Sequence, residues 1–303
     1  MLTVANLNQW IEGARPRTLP AALSPVIAGS AVAVWADSFG WAGALGALVV
    51  ALALQIGVNY ANDYSDGIRG TDDDRVGPLR LTGSGLATPR SVKLAAFGWF
   101  GVAAVAGLAL AIATDWWLVL VGVVCILAAW FYTGGEHPYG YAGLGEVMVF
   151  VFFGLVATVG TTWVQISDLD SPGRALAVSV AAAFGVGSLA CAILVANNLR
   201  DIPTDTVSGK NTLAVRLGDP GTRVLYAGLT AVATVAVVVV AGLAESWWPL
   251  VGLAFLAVSA PAVAAVRSGA TGPGLIPVLA ATGRAELVWS ALVALGLLLT
   301  QLT

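Results

Sequence analysis

The sequence predicts an all-α, polytopic membrane protein with nine transmembrane helices, and three observations carry that expectation. Hydrophobic residues make up 58% of the 303 residues and charged residues only 10%, where a soluble globular chain carries about 25% charged residues. The mean hydropathy is +0.87, more apolar surface than a soluble core of this length can hide. All but one of the 14 basic residues fall in alternate connections between the apolar runs, a bias that fits an odd number of crossings.

Windows of about 19 residues give the spans in order: 18–35, 41–61, 92–113, 116–133, 144–165, 174–198, 223–244, 247–266 and 284–302. Pro20 and Pro25 fall in the first, so that helix starts late or kinks, as neighbouring helices in a membrane allow. The chain start shows no charged n-region or cleavage site, so the first run reads as a retained helix. Segment 267–283, with Gly269, Gly272, Pro273, Gly274 and Pro277, reads as a loop or a partly re-entrant stretch. The whole of 1–303 reads as one domain.

Orientation follows from the Lys and Arg residues. Arg15 and Arg17 precede the first span; Arg69, Arg75, Arg80, Arg90 and Lys93 follow the second; Arg200, Lys210, Arg216 and Arg223 follow the sixth; Arg267 and Arg284 follow the eighth. Only Arg174 lies on the other side. The crowded side is therefore cytoplasmic, which puts the N-terminus inside and the C-terminus outside a multi-pass cell membrane.

Two polar segments interrupt the apolar chain on that side. The first reads Asn59-Tyr-Ala-Asn62-Asp63-Tyr-Ser-Asp66-Gly-Ile-Arg69 and runs on to Asp72-Asp73-Asp74. If the second helix continues past its apolar run, Asn59, Asn62, Asp63 and Asp66 share a face at i, i+3, i+4 and i+7. The second reads Asn197-Asn198-Leu-Arg200-Asp201 and continues to Asp205 and Lys210, again with an i, i+4, i+8 face, although Pro203 can bend it. The two segments lie four spans apart, which hints at duplication of a four-helix unit. Carboxylates crowded on one face repel one another unless a cation gathers them. Magnesium suits such a site, because it takes one or two carboxylates and completes its shell with phosphate oxygens. Asn62, Asp63, Asp66, Asp72, Asp201 and Asp205 are the candidate magnesium ligands. Two such clusters face to face could hold two ions with a diphosphate between them, and Arg69, Arg75, Arg80, Arg200 and Lys210 could neutralise the remaining charge.

Other chemistries find less support. His137 is the single histidine, which excludes a His-based metal site, and its loop position suggests a surface role. Cys125 and Cys191 sit inside apolar runs without metal or disulfide spacing. No G-x-S-x-G, P-loop or Rossmann pattern occurs. A cation-coupled transporter would carry its acids near mid-span, whereas these lie at span ends beside arginines. Asp66-Gly67 prompts a CDP-alcohol phosphatidyltransferase, but the remaining residues of that motif are not in register.

At these residues the chain resembles the UbiA superfamily of intramembrane prenyltransferases, through Asn62-Asp63-x-x-Asp66 and Asp201-x-x-x-Asp205. The resemblance extends to Ala14-Arg15-Pro16-Arg17-Thr18-Leu19-Pro20, to Arg75 through Gly85, to Tyr132 through Glu146 and to Gly209-Lys210-Asn211-Thr212-Leu213-Ala214. Glu136 departs from it, since proline is expected there. The resemblance implies a UbiA-type bundle with cytoplasmic cap loops and a magnesium-dependent enzyme. Asp63, Asp66, Asp201 and Asp205 would be its catalytic residues. Asn59, Asn62, Asn197, Asn198, Tyr132 and Tyr139 would join the basic residues around a polyprenyl diphosphate. It further implies 1,4-dihydroxy-2-naphthoate as the acceptor, prenylated with loss of its carboxyl group in menaquinone synthesis. Other UbiA acceptors, 4-hydroxybenzoate or homogentisate, are the runner-up.

Overall fold

A computed structural model describes residues 5–70 and 79–302. The described residues are helical throughout apart from short connections. A short amphipathic helix, α1 (Leu7–Gly13), is capped by Asn6, whose side chain accepts from the Gln9 amide N–H while the Gln9 side chain accepts from the Asn6 amide N–H. A 3-10 turn, Pro16–Thr18, leads into α2 (Pro20–Trp35) at a bend of 52°. The proline at the first helical position of α2 needs no backbone donor there, so the late start expected from Pro20 is realised as a broken entry. Then follow α3 (Trp41–Ile68), α4 (Pro89–Ala113), α5 (Trp117–Phe131), α6 (Gly145–Ile166), α7 (Gly173–Val207), α8 (Leu213–Leu243), α9 (Trp248–Arg267) and α10 (Gly272–Gln301).

Each of the nine predicted spans meets one of α2–α10. Among the described residues, seven helices are long and apolar enough to cross a bilayer, and the bent pair α1–α2 makes an eighth. The 15 residues of α5 reach about 22 Å, short of a full hydrocarbon core of about 30 Å. Four boundaries differ from the sequence expectation, because polar or Gly- and Pro-rich residues mark helix ends to a hydropathy window although the helices continue through them. The second span extends to Ile68 and carries the first acidic segment as helix. The sixth extends to Val207 through Pro203, and α8 begins at Leu213, so the expected loop 197–222 shrinks to 208–212. A break at Gly218 (φ 67°, ψ 175°) kinks α8 just before Pro220. Segment 267–283 is mostly α10: Pro273 and Pro277 stand at the starts of its 3-10 and α-helical parts, where proline is tolerated.

The bundle packs by small residues, as lipid-embedded helices do when backbones must approach closely. α7 is its centre and is mostly buried. A Cβ on Gly154 of α6 would lie 2.7 Å from the Gly187 Cα of α7, and Gly185 of α7 makes room for the buried Trp289 ring of α10. α6 widens into a π-helical stretch at Phe150–Val156 where it meets α7. Cys191 is buried and Cys125 partly so, and neither is bonded to the other.

Candidate active site

The polar end of α3 is the hub, and its side chains take separate tasks. Asn59 is buried; its Nδ2 donates to the Ala14 carbonyl (2.9 Å) and to Thr18 Oγ1 (3.0 Å), which ties the Pro16–Thr18 turn to α3. Since a carbonyl can only accept, this fixes the Asn59 amide, and its Oδ1 accepts from Gln55 Nε2 at 3.4 Å. Asn62 accepts from the Thr133 hydroxyl at 2.7 Å. Asp63 is buried and accepts from the backbone N–H groups of Leu81 (2.7 Å) and Thr82 (2.8 Å). It thereby pins the segment after the acidic run to the helix, with the fully buried Leu81 side chain as an apolar plug.

Asp66, one turn on, gathers groups from three separate stretches. Arg80 Nη2 lies 3.5 Å from its Oδ2, Lys210 Nζ lies 3.3 Å from its Oδ1, and the Tyr141 hydroxyl donates to it. Lys210 also sits 4.6 Å from the centre of the Tyr141 ring, and the Arg69 guanidinium lies 5.5 Å from the same ring. Arg69 donates to the Thr133 and Gly135 carbonyls. The Asn211 N–H donates to the Tyr141 carbonyl at 3.0 Å. The end of α3, the 132–144 loop and the 208–212 link are thus stitched into one roof. Burial, with the Asp66 carboxylate beside it, pushes the Tyr141 phenol above its ordinary value, so it stands as a protonated donor; burial raises Tyr139 likewise.

On α7, Arg200 clamps Asp201 with Nε to Oδ1 at 2.7 Å and Nη2 to Oδ2 at 2.8 Å, and also donates to Asn197 Oδ1 at 2.9 Å. Asn197 Nδ2 in turn donates to Asp201 Oδ2 at 3.4 Å. Asn198 turns away and donates to Glu146 Oε1 of α6 at 2.9 Å. Asp205 is half-buried on the next turn, and its carbonyl accepts from the Lys210 N–H at 2.9 Å. Asp72 and Arg75 lie outside the described residues. His137 and Glu136 are exposed, as their loop position suggested.

The expected single face on α3 is formed, since the helix runs on to Ile68, but its four side chains take different partners. Asn59 and Asp63 hold structure, Asn62 faces the 132–144 loop, and Asp66 meets the basic residues. The family resemblance runs through the stretches that hold Thr18, Thr133 and Tyr141 but gives them no role, and nothing in the sequence marks Gln55, because their partners arrive from distant stretches. Around Asp66, among the described residues, three cations (Arg69, Arg80 and Lys210) surround one carboxylate and one phenol, a setting suited to a multiply charged anion.

Below this roof opens an apolar chamber of about 510 Å³ between α2, α3, α4, α5 and α6. Its polar end carries Gln55, Asn59, Asn62, Tyr132 and Tyr139, and the rest of its wall is Ala, Val, Leu, Gly and Phe with few exceptions. The ring centres of Tyr132 and Tyr139 stand 5.5 Å apart, edge to face. Among the described residues no three His, Cys, Asp or Glu side chains converge as a preformed metal cage.

Comparison with known proteins fits this geometry. Residues 22–271 match the UbiA prenyltransferase family. The chain is 55% identical to 1,4-dihydroxy-2-naphthoate octaprenyltransferase of Mycobacterium tuberculosis, over 99% of this chain and 100% of that one. It is 57% identical to the enzyme of the same name from Mycobacterium leprae, over 96% of each. Among solved structures, the apo form of a UbiA homolog from Aeropyrum pernix K1 superposes with a TM-score of 0.72 at 14% identity, covering 92% of this chain and 98% of that one. A UbiA homolog from Archaeoglobus fulgidus bound to GPP and Mg2+ gives 0.65 at 15% identity, covering 94% and 98%.

Proposed function

Because the chain belongs to the UbiA prenyltransferase family, we propose that it transfers a polyprenyl group from polyprenyl diphosphate to 1,4-dihydroxy-2-naphthoate. The ring carboxyl group is lost, and the products are demethylmenaquinol, a menaquinone precursor, and pyrophosphate. The observation that carries this reading is the Asp66 node, an anion-ready cluster of basic residues at the polar end of a long apolar chamber. The two curated relatives named for that acceptor, alike along nearly the whole chain, support the choice of ring.

Asp66, Asp201 and Asp205, with the amide oxygen of Asn62, are the oxygen donors that would hold magnesium. They fit the ion's habit of taking one or two carboxylates while phosphate oxygens and water complete the shell. When bound, magnesium neutralises charge on the departing diphosphate. Arg80, Lys210 and Arg69 bind the remaining phosphate oxygens, and the Tyr141 hydroxyl, kept protonated, donates to charge that builds there. The allylic carbon–oxygen bond breaks with its electron pair leaving on pyrophosphate, a ring carbon of the acceptor forms the new bond, and the ring–carboxylate bond breaks to release carbon dioxide and return its electron pair to the ring. The apolar chamber keeps water from the allylic cation, and Tyr132 and Tyr139 offer π-faces at its mouth. Asn59 and Asp63 act through position: they fix the Pro16–Thr18 turn and the Leu81–Thr82 segment against α3. The distribution of Lys and Arg supports a cytoplasmic node.

Purified protein supplied with magnesium, dihydroxynaphthoate and a long prenyl diphosphate should release pyrophosphate and carbon dioxide in equal amounts. Prenylated 4-hydroxybenzoate with its carboxylate retained, as the main product of a mixed-acceptor assay, would overturn the acceptor. Cation uptake without pyrophosphate release would overturn the enzyme.

A further inference from the structure

The chamber follows α3 from Asn62 to Ala47, about 22 Å at 1.5 Å per residue. At its far end the wall is bare backbone at three points contributed by three helices: Gly107 of α4, Gly122 of α5 and Gly160 of α6. Each stands about one turn before the last wall residue of its helix, namely Leu110, Leu118 and Val164. These glycines differ from those that serve packing. A Cβ on Gly46, Gly57 or Gly29 would strike Leu110, Phe100 or Thr161 at 2.6–2.8 Å. A Cβ on Gly107 would point at Val50, itself a wall residue, from 3.9 Å, and at Gly122 and Gly160 it would meet nothing within 4 Å. None of the three has a positive φ that calls for glycine. Glycine in a helix interior costs roughly 0.5–1 kcal/mol relative to alanine; Gly98 of α4 and Gly228 of α8 also lack a packing partner, but they lie outside the chamber, whereas these three line it together from three helices. Keeping the bore open is the reason the geometry offers.

We infer that Gly107, Gly122 and Gly160 set the length of isoprenoid tail the enzyme accepts, by holding open the far end of the chamber to a chain that has passed Gln55 and Val58. This rests on the proposed prenyl transfer and adds to it a specificity determinant. A short tail ends before reaching the three glycines, whereas a long one must pass between them. Leucine at any of these positions gains helix propensity and projects into the bore.

The test measures kcat/KM of Gly107→Leu and Gly160→Leu for geranyl and octaprenyl diphosphates, with dihydroxynaphthoate as the acceptor. Gly98→Leu, on the exposed flank of α4 with nothing within 4 Å of its Cβ and outside the chamber wall, serves as the control. The expected result is at least a tenfold loss for octaprenyl diphosphate in both chamber variants, with geranyl diphosphate within twofold of wild type and the control unchanged on both donors. Equal activity on both donors, or equal loss on both, would overturn the assignment. Failure of the wild type to release pyrophosphate from either donor would instead overturn the prenyl-transfer reading beneath it.

Discussion

At the residue scale, the polar end of α3 shows how four residues on one helical face come to different uses. Asp66 faces two cations and a phenol, so Asp66→Asn removes a charge that both the cations and a bound metal need. Turnover should fall by roughly a hundredfold or more, the scale of losing one strong electrostatic stabiliser, and the melting temperature should fall as well, because the mostly buried Arg80 and Lys210 lose this counter-charge. Asp63→Asn differs. Its two oxygens accept from Leu81 and Thr82, and an amide presents one N–H donor to another, leaving a buried group unsatisfied at a cost of about 1–3 kcal/mol. That variant should melt at a lower temperature, and added diphosphate substrate should restore part of the loss. A melting temperature for Asp63→Asn that matches the wild type would show that the division of labour is wrong. The sequence displayed both aspartates and their helical spacing. It could not display which would be consumed by structure, because Leu81, Thr82, Tyr141 and Lys210 are brought in by tertiary folding.

At the element scale, hydropathy located all nine apolar helices but ended two of them early, the second and the sixth, and began two late, the seventh and the ninth. The reason for the early endings lies in the cytoplasmic helix ends: Asn59 to Asp66 and Asn197 to Asp205 are too polar for a hydropathy window, yet their backbones stay helical because neighbouring loops satisfy the side chains. The π-helical stretch of α6 had no sequence signal, since it answers to the shape of α7. Its closest approach is Gly154 against Gly187, where an added Cβ would also lie 2.9 Å from the Ala183 carbonyl oxygen. Backbone cannot step aside as a flexible side chain can. Gly154→Val should therefore push α6 from α7 and destabilise the protein by about 1–3 kcal/mol, the cost of overpacking a tight core. Gly228→Val, where a Cβ meets nothing within 4 Å, should melt like the wild type. Thermal melts in one detergent compare the three, and a Gly154→Val protein as stable as the control would mean that α6 and α7 do not depend on this close approach.

At the scale of the whole molecule, the two ends of the bundle differ in chemistry, and that difference predicts an orientation in the membrane. The end holding Asp66 and Asp201 gathers the arginines and lysines. The opposite end carries Trp41, Trp116, Trp117, Trp247 and Trp248, all exposed, as aromatic residues at a membrane interface are. It also holds Arg174, whose charge is matched by Glu245 at 3.0 Å and whose guanidinium lies 5.4 Å from the Trp35 ring. Paired in this way, the one basic residue on that side weighs little against thirteen on the other. The tryptophan end should therefore face outward. Asp170 is exposed beside Arg174, and Ser208 is exposed in the link between α7 and α8, so a cysteine at either place is open to water-soluble reagents. Of the native thiols, Cys191 is buried and Cys125 is partly buried in the chamber wall, which keeps the background low. In intact cells a membrane-impermeant maleimide should label Asp170→Cys at once and Ser208→Cys only after the membrane is opened. The reverse pattern would turn the bundle over and put the diphosphate node outside, away from any cytoplasmic supply of prenyl diphosphate.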